Sequence, residues 1–467
     1  MSAPPERRAI AAALCLLSLS VSPGCSRPAP APHGIVLIVL DTLRADGLSA
    51  YGNPRPTSPH IDRLAQQGVL FEQAVSHASS TLPGFVGLLS GSYPTARVYD
   101  RGLLLHSLVE ALAGAGYTTA AFTEGGFVSR YFGVDRGFAT FEAKEGKVHL
   151  QGADVDARAD EAGGVEKTFD AAMTWLRAHA SERFFLLVHT YEIHMPYLQR
   201  AYAEKLPRGS LPETYRVDTA EAVTSGSIPV GATEVAYVRA LYDSGVASAD
   251  RQVGRLLGLL DELGIADRTL VALTADHGEE LGERTPRRLG MHGLLLYDTL
   301  LRIPLIIRDP LVGSPPRRIA SQVRLVDVMP TLLDRAGVAL PPEIDGRSLA
   351  PLLRGSAQDE RLAYSEISDP DSALLRRIAV REGGWKLIVN LPPLSDGDVP
   401  SELYRVSDDP LELHDLSSAE PARKDSLFAL MRAQRESIDR SGRARLAVDE
   451  NAPDALRERL RALGYVR

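Results

Sequence analysis

The sequence alternates between short runs that are apolar at every position and longer segments whose apolar residues recur with helical periodicity. The apolar runs cover residues 34–40, 184–188, 270–273 and 304–307. Such runs are typical of strands that are buried on both faces of a parallel sheet. The helical segments lie between them, at 61–67, 103–113, 167–179, 233–263 and 327–336. This alternation predicts an α/β fold in which helices sandwich a mostly parallel central sheet.

The pattern changes after residue 355. Residues 377–381 and 385–389 alternate between apolar and polar positions, and residues 424–438 and 455–463 return to helical periodicity. We therefore predict a large domain over residues 34–355 and a small antiparallel-sheet subdomain with a closing helix over residues 356–467. Two polar stretches, 142–164 and 200–230, interrupt the alternation and are interpreted as insertions near the substrate side.

Residues 1–25 have the organisation of an export signal. Arg7 and Arg8 precede an apolar stretch of thirteen residues, 9–21, which is shorter than the roughly 20 residues of a membrane span and typical of a signal peptide. The following Ser-Pro-Gly-Cys resembles a lipoprotein signal in which Cys25 is acylated, and residues 26–33 form a Pro/Ala linker. A cleaved signal without lipid is the alternative. Either reading places the mature protein in the periplasm or cell envelope, and the first anchors it to the membrane through Cys25.

Composition excludes several classes of protein. The 467 residues carry a net charge of −8 and show no basic run, so nucleic acid is not an expected partner. The two cysteines, Cys15 and Cys25, both lie in the first 25 residues. The rest of the chain therefore has no disulfide, no thiolate metal cluster and no cysteine nucleophile.

Polar side chains follow three of the apolar runs. Asp41 comes directly after the first, His189 and His194 follow the second, and Asp276 and His277 follow the third. Ligands of α/β sheets bind at the carboxyl ends of the strands, so these side chains are expected to converge. Each aspartate alone could simply cap a loop. Together, two carboxylates and an imidazole predict a divalent cation site with an open coordination position.

Thr81 is the candidate nucleophile. Its hydroxyl precedes a Pro-initiated helical turn, Thr-Leu-Pro-Gly at 81–84, where unpaired N–H groups and the helix dipole favour anions. The alternative is that Thr81 only caps the helix. A metal at Asp41, Asp276 and His277 would favour the nucleophile, because coordination activates a hydroxyl at neutral pH.

Several segments resemble those of one protein family. They are Asp-Thr-Leu-Arg-Ala-Asp at 41–46, Thr-Ser-Pro-His-Ile-Asp at 57–62, Leu-Leu-Ser-Gly at 88–91, Thr-Ala-Asp-His-Gly-Glu at 274–279, Leu-Arg-Ile-Pro-Leu at 301–305, Asp-Gly-Arg-Ser-Leu at 345–349 and Glu-Leu-Tyr at 402–404. Over about residues 34–416, the chain resembles the sulfatase branch of the alkaline phosphatase superfamily. The large domain is then its catalytic domain.

Two departures from the sulfatase pattern concern the chemistry. Sulfatases convert the first residue of a Cys/Ser-x-Pro-x-Arg motif to formylglycine, whereas this chain has Thr81 and Phe85 at the first and last positions. A Gly-Lys-Trp-His segment that holds sulfate would fall on residues 123–126, where Lys and His are missing. Within the metal motifs, Thr42 replaces an aspartate and His277 a common asparagine. These changes resemble threonine-nucleophile members of the superfamily, including phosphodiesterases and phosphoethanolamine or phosphoglycerol transferases.

The resemblance implies a role for each site residue. Asp41, Asp276 and His277 hold the metal, and Thr81 is both nucleophile and fourth ligand. His194 aligns with the histidine near the leaving-group oxygen and is the candidate general acid. His292 aligns with a substrate-binding Lys or His and would hold a non-bridging oxygen. Each of these two histidines could instead be a loop residue without a catalytic role.

These observations predict an exported, metal-dependent hydrolase of phosphate or sulfate esters that works through a covalent intermediate on Thr81. One or two divalent ions are expected, of Ca, Zn, Mn or Mg. The expected partner is an ester substrate, such as an envelope glycan or lipid. The alternatives are a phosphoethanolamine- or phosphoglycerol-type transferase and an inactive lipoprotein that only binds.

Overall fold

The structure is a computed structural model that describes residues 30–94, 106–143, 148–150, 153–155, 164–313, 315–368, 376–391 and 401–440. The export signal with Cys25, most of the insertion at 142–164 and the helix predicted at 455–463 lie outside these residues. Among the described residues, no helix is both long and apolar enough to span a bilayer.

The described chain forms helices and strands in alternation. The strands are β1 (Gly34–Leu40), β2 (Val69–Val75), β3 (Thr118–Thr123), β4 (Thr140–Ala143), β5 (Val148–Leu150), β6 (Ala153–Val155), β7 (Phe184–Thr190), β8 (Thr269–Thr274), β9 (Glu280–Leu281), β10 (Leu289–Met291), β11 (Arg302–Arg308), β12 (Arg317–Arg324), β13 (Ala363–Ser368), β14 (Arg376–Glu382), β15 (Trp385–Leu391) and β16 (Ser401–Arg405). The helices are α1 (Pro59–Gln67), α2 (Thr81–Ser90), α3 (Leu108–Gly114), α4 (Gly164–His179), α5 (Val217–Thr224), α6 (Ala232–Glu262), α7 (Asp298–Leu301), α8 (Val328–Ala336), α9 (Ala350–Leu353) and α10 (Pro421–Arg440).

A central sheet of eight strands carries the main core. Its order is β12-β2-β11-β8-β1-β7-β3-β4. The middle of the sheet is formed by three of the predicted apolar runs, which are the adjacent strands β8, β1 and β7. Every residue of these strands is buried. These strands read as continuous apolar runs because helices cover both faces of the sheet. The predicted fold class is confirmed.

One strand of the central sheet runs against the others. β11 pairs antiparallel with both β8 and β2, whereas the other neighbouring strands are parallel. The apolar run at 304–307, which we predicted to be parallel, is therefore antiparallel. The reason is that residues 275–301 stay at the carboxyl edge of the sheet and re-enter it from that edge instead of crossing over through a helix. This excursion contains the hairpin of β9 and β10 and the short helix α7.

The C-terminal subdomain is a separate antiparallel sheet. β13, β14, β15 and β16 pair in chain order. Its apolar side chains, including those of Val380, Leu387 and Leu403, pack with Leu427 and Met431 of α10 in a second cluster, which Tyr93 and Val326 of the large domain join. The predicted closing helix at 424–438 corresponds to α10.

Candidate active site

The carboxyl ends of β1 and β8 bring the predicted metal ligands together. Asp41 follows β1 directly, and Asp276 and His277 follow β8, its neighbour in the sheet. One ligand atom from each of the three residues lies within 4.8 Å of the others, and all three side chains are fully buried. The predicted convergence of strand ends is confirmed for these residues.

The donor atoms fit a divalent cation. Oδ1 of Asp41 and Oδ2 of Asp276 are buried without a hydrogen-bond partner, which is costly for carboxylate oxygens. Nδ1 of His277 donates to the carbonyl oxygen of Gly278 at 2.8 Å, so Nε2 keeps its lone pair for a ligand. Two carboxylates and an imidazole are ligands that Zn, Mn and similar divalent ions accept.

The electrostatics of the three groups favour the binding of a cation. Burial raises the pKa of Asp41 to about 7. Burial and the neighbouring Asp41 carboxylate raise the pKa of Asp276 well above its usual range. Burial and the nearby His292 lower the pKa of His277 well below its usual range. A cation would stabilise the charged carboxylates and the neutral imidazole.

Thr81 is the first residue of α2, and its side chain faces the candidate metal site. Oγ1 donates to Oδ2 of Asp41 at 3.2 Å and lies 3.4 Å from Nε2 of His277. Ser80 occupies the N-cap position. The Thr81 hydroxyl thus contacts two of the three candidate metal ligands and does not cap the helix.

Close packing holds α2 against the end of β8. A Cβ at Gly84 would lie 2.9 Å from the Cβ of Asp276, so only glycine allows this approach. The hydroxyl of Ser76 donates to the carbonyl oxygen of Asp276 at 2.5 Å, and Nε2 of His77 donates to that of Pro83 at 2.9 Å. Residues 76 and 77 therefore anchor both the end of β8 and the first turn of α2.

His194 and His292 face each other beside the metal ligands. Their ring centroids are 4.8 Å apart, and the ring of His292 is 4.7 Å from that of His277. Although burial disfavours its charge, the carboxylate of Glu279 raises the pKa of His292 to about 9. Burial and the neighbouring His292 lower the pKa of His194 to about 4. At neutral pH, His292 is cationic and His194 is neutral.

His189, to which the sequence assigned no role, also reaches this site. Nε2 lies 3.5 Å from Oδ2 of Asp41, and both ring nitrogens are buried without a hydrogen-bond partner. The edges of Phe85 and Tyr191 enclose the imidazole, with ring centroids at 5.0 and 4.6 Å. Phe85, which stands where sulfatases have arginine, is thus an apolar wall of the site. The position of His189 at a strand end was the only signal in the sequence.

The segment 123–126 forms a tight turn beside the end of β7. The carboxylate of Glu124 accepts hydrogen bonds from the hydroxyl of Thr190 at 2.7 Å and from the backbone N–H of Tyr191 at 2.9 Å. Gly126 has a φ of +61°, and a Cβ there would lie 2.8 Å from the hydroxyl oxygen of Tyr191. In this chain the turn therefore supports the strand that carries His189.

The chain is similar in sequence and structure to proteins that are named as sulfatases and related hydrolases. A family model described as Sulfatase matches residues 33–338, and one described as N-sulphoglucosamine sulphohydrolase, C-terminal, matches residues 291–438. The steryl-sulfatase of Mus musculus is 25% identical over 96% of this chain and 88% of its own.

Two solved structures illustrate the shared fold. The phosphonate monoester hydrolase of Agrobacterium radiobacter has a TM-score of 0.68 and 22% identity, covering 87% of this chain and 96% of that one. BT4656, solved with its substrate D-glucosamine-2-N,6-O-disulfate, has a TM-score of 0.69 and 19% identity, covering 90% of this chain and 100% of that one.

Proposed function

The chain belongs to the sulfatase family of the alkaline phosphatase superfamily, whose members hydrolyse sulfuric or phosphoric esters, and from this premise we propose that it cleaves phosphate esters with Thr81 as the nucleophile. The observation that carries the proposal is the position of Oγ1 of Thr81, 3.2 Å from Asp41 and 3.4 Å from His277. Formylglycine cannot form from threonine, but a threonine oxygen can accept a phosphoryl group directly.

The reaction has two balanced steps. Oγ1 of Thr81 forms a bond to phosphorus while the bond to the ester oxygen breaks, and the alcohol leaves with one proton. Water then attacks the phosphothreonine, so that Thr81 regains its proton and phosphate is released. A divalent cation held by Asp41, Asp276 and His277 would supply Lewis acidity to the reacting oxygens.

The two histidines are assigned to the oxygens of the substrate. His292, which is cationic at neutral pH, would hold a charged non-bridging oxygen. His194 would pass the proton that Thr81 releases to the leaving oxygen. Because an approaching anion favours the charged form of an imidazole, substrate binding raises the pKa of His194 from its low value.

We further propose that the enzyme acts outside the cytoplasm, on esters of an envelope glycan or lipid. The sequence pattern of residues 1–25 supports the location. The sulfated glucosamine bound by BT4656 supports a glycan as the natural substrate class.

Three chromogenic substrates test the function. After treatment with EDTA, residues 26–467 are assayed with p-nitrophenyl phosphate, bis-p-nitrophenyl phosphate and p-nitrophenyl sulfate, with Zn, Mn, Mg or Ca restored. We expect metal-dependent cleavage of a phosphate ester that is lost in Thr81→Ala and retained in Thr81→Ser. Mass spectrometry of quenched turnover should find one phosphoryl group on Thr81.

Ser80→Ala is the matched control. Ser80 precedes the nucleophile and its side chain makes no capping hydrogen bond, so this variant should keep full activity. Cleavage of any of the esters that survives in Thr81→Ala would show that Thr81 is not the nucleophile.

A further inference from the structure

Glu279 connects the three segments that carry the histidines of the active site. Its carboxylate is fully buried. Oε1 accepts a hydrogen bond from Nδ1 of His292 at 2.9 Å, and Oε2 accepts one from the hydroxyl of Tyr197 at 3.2 Å. Glu279 itself follows His277 by two residues, and Tyr197 follows His194 by three. One carboxylate therefore joins the loop after β8 to both histidine segments.

Tyr197 is fixed independently of Glu279. Its ring stacks on that of Tyr215 with centroids 5.9 Å apart. The hydroxyl of Tyr215 donates to the carbonyl oxygen of Leu289 at 3.0 Å, in the strand that leads to His292. The backbone N–H of Tyr197 donates to the carbonyl oxygen of Tyr215 at 3.0 Å. The Tyr197 hydroxyl thus gives Glu279 a rigid second partner.

The backbone around Glu279 is fixed as well. Its carbonyl oxygen accepts a hydrogen bond from the guanidinium of Arg44 at 3.0 Å. The N–H of Gly278 donates to the carbonyl oxygen of Leu300 at 2.7 Å, and a Cβ at Gly278 would lie 2.2 Å from the carbonyl oxygen of Thr299. The loop is therefore pressed against α7, and the carboxylate has little freedom to move.

We propose that Glu279 is a positioning residue, which holds the imidazole of His292 in the orientation that meets the oxygens of the substrate. Because Nδ1 is bound to the carboxylate, Nε2 is the nitrogen that remains for substrate. The fixed ring lies 4.7 Å from His277 and 4.8 Å from His194, between centroids. The inference rests on the proposed function only in taking His292 as a contact of the substrate.

Two substitutions of Glu279 separate the effect of the length of its side chain from the effect of its charge. Glu279→Gln keeps the length of the side chain and an oxygen that can accept from Nδ1, whereas Glu279→Asp keeps the charge but shortens the side chain by one methylene. If Glu279 acts by positioning, E279D should lower kcat for p-nitrophenyl phosphate by about 10- to 100-fold, as loss of an orienting partner does, with a smaller change in KM. E279Q keeps the hydrogen bond from Nδ1 but removes the carboxylate that raises the pKa of His292. It should therefore lose activity at neutral pH and regain most of it at a lower pH, where His292 is protonated. If E279D regains activity in the same way, or is more active than E279Q at the lower pH, the proposal is overturned.

A double-mutant cycle tests whether Glu279 works through His292. E279D should have no further effect on kcat once His292→Ala is present, because the ring that it positions is gone. Effects that multiply in the double variant would contradict the proposal. Affinity for inorganic phosphate, measured by calorimetry on the metal-loaded protein, should follow the same pattern. This readout needs no turnover, so it separates failure of the inference from failure of the Thr81 mechanism.

Glu412→Gln is the matched control. Glu412 is also a fully buried glutamate in an ion pair, with Lys386 at 2.9 Å, but it lies outside the active site. At temperatures below unfolding, E412Q should leave kcat unchanged. A loss of kcat in E412Q as large as that in E279D would attribute the effect to general destabilisation.

Discussion

At the scale of single residues, protonation of Asp41 and Asp276 should control cation binding at the candidate metal site. Burial raises the pKa of Asp41 to about 7 and that of Asp276 well above its usual range, and only the charged carboxylates are good ligands. We therefore expect metal affinity to increase as the pH rises through about 7. A raised pKa stabilises the folded state while the carboxyl is protonated, so the metal-free protein should lose stability over the same rise in pH.

Calorimetry in buffers with different ionisation enthalpies measures this linkage. At about pH 6, binding of Zn or Mn should release protons, and fewer should be released at about pH 9. Asp41→Asn should bind the metal more weakly and release fewer protons. Equal affinity and no proton release at both pH values would contradict the linkage.

The grouping of the three candidate metal ligands could be predicted from the sequence, whereas the residues that support them could not. Asp41, Asp276 and His277 follow apolar runs, and the ends of parallel strands meet at one edge. Glu279 stands in a recognisable motif, but its partner His292 follows a hairpin whose return path the sequence pattern does not reveal. The sequence places His189 at the end of a strand, but it does not indicate which residues His189 contacts.

At the scale of elements, the distance between α2 and β8 determines how close the Thr81 hydroxyl lies to the candidate metal ligands. A side chain at Gly84 would collide with Asp276, so Gly84→Ala must displace the helix. We expect a loss of about 1–3 kcal/mol in the free energy of unfolding, as for other overpacked positions, together with weaker metal binding and lower kcat. Urea unfolding and metal titration measure the first two.

Gly258→Ala is the control for the helix propensity of alanine. Gly258 lies inside α6, and a Cβ there would meet no atom within 4 Å, so the substitution should stabilise the protein by up to about 1 kcal/mol. If Gly84→Ala also stabilises the protein, the close approach of α2 to β8 does not require glycine at position 84.

Element types could be predicted better than their connections and caps. Continuous apolar runs identified the central strands, but the direction of β11 depends on where the preceding excursion lies. Asp327 directly precedes α8, but its side chain makes no capping hydrogen bond there. Its carboxylate binds the side chain of Arg324 and accepts the backbone N–H of Arg347 at 2.8 Å. Arg347 comes from a separate turn of the chain.

At the scale of the whole molecule, a buried ion cluster joins the C-terminal subdomain to the catalytic domain. Nζ of Lys386 lies 2.8 Å from Oδ1 of Asp298 and 2.9 Å from Oε1 of Glu412. Arg381 reaches the other oxygen of Asp298 at 2.7 Å. Lys386→Met would leave two buried carboxylates without this cation, which should cost about 3–5 kcal/mol of unfolding free energy.

Thermal and urea unfolding measure the effect of Lys386→Met. Arg177→Ala is the control, because its ion pair with Glu262 is exposed and should contribute at most about 1 kcal/mol. Equal stability of the two variants would show that the buried cluster does not hold the subdomain in place.

The reversed strand β11 has a consequence for the order of folding. Only residues 275–301 separate β8 from β11 in the sequence, whereas most of the large domain separates β1 from β8. When two residues near in sequence come into contact, the chain loses less entropy in closing the loop between them, and the contact forms faster. We therefore expect β8 and β11 to pair before β1 joins them, with Asp276, His277, Glu279 and His292 already grouped. The arrival of Asp41 and Thr81 then completes the site as a late folding event.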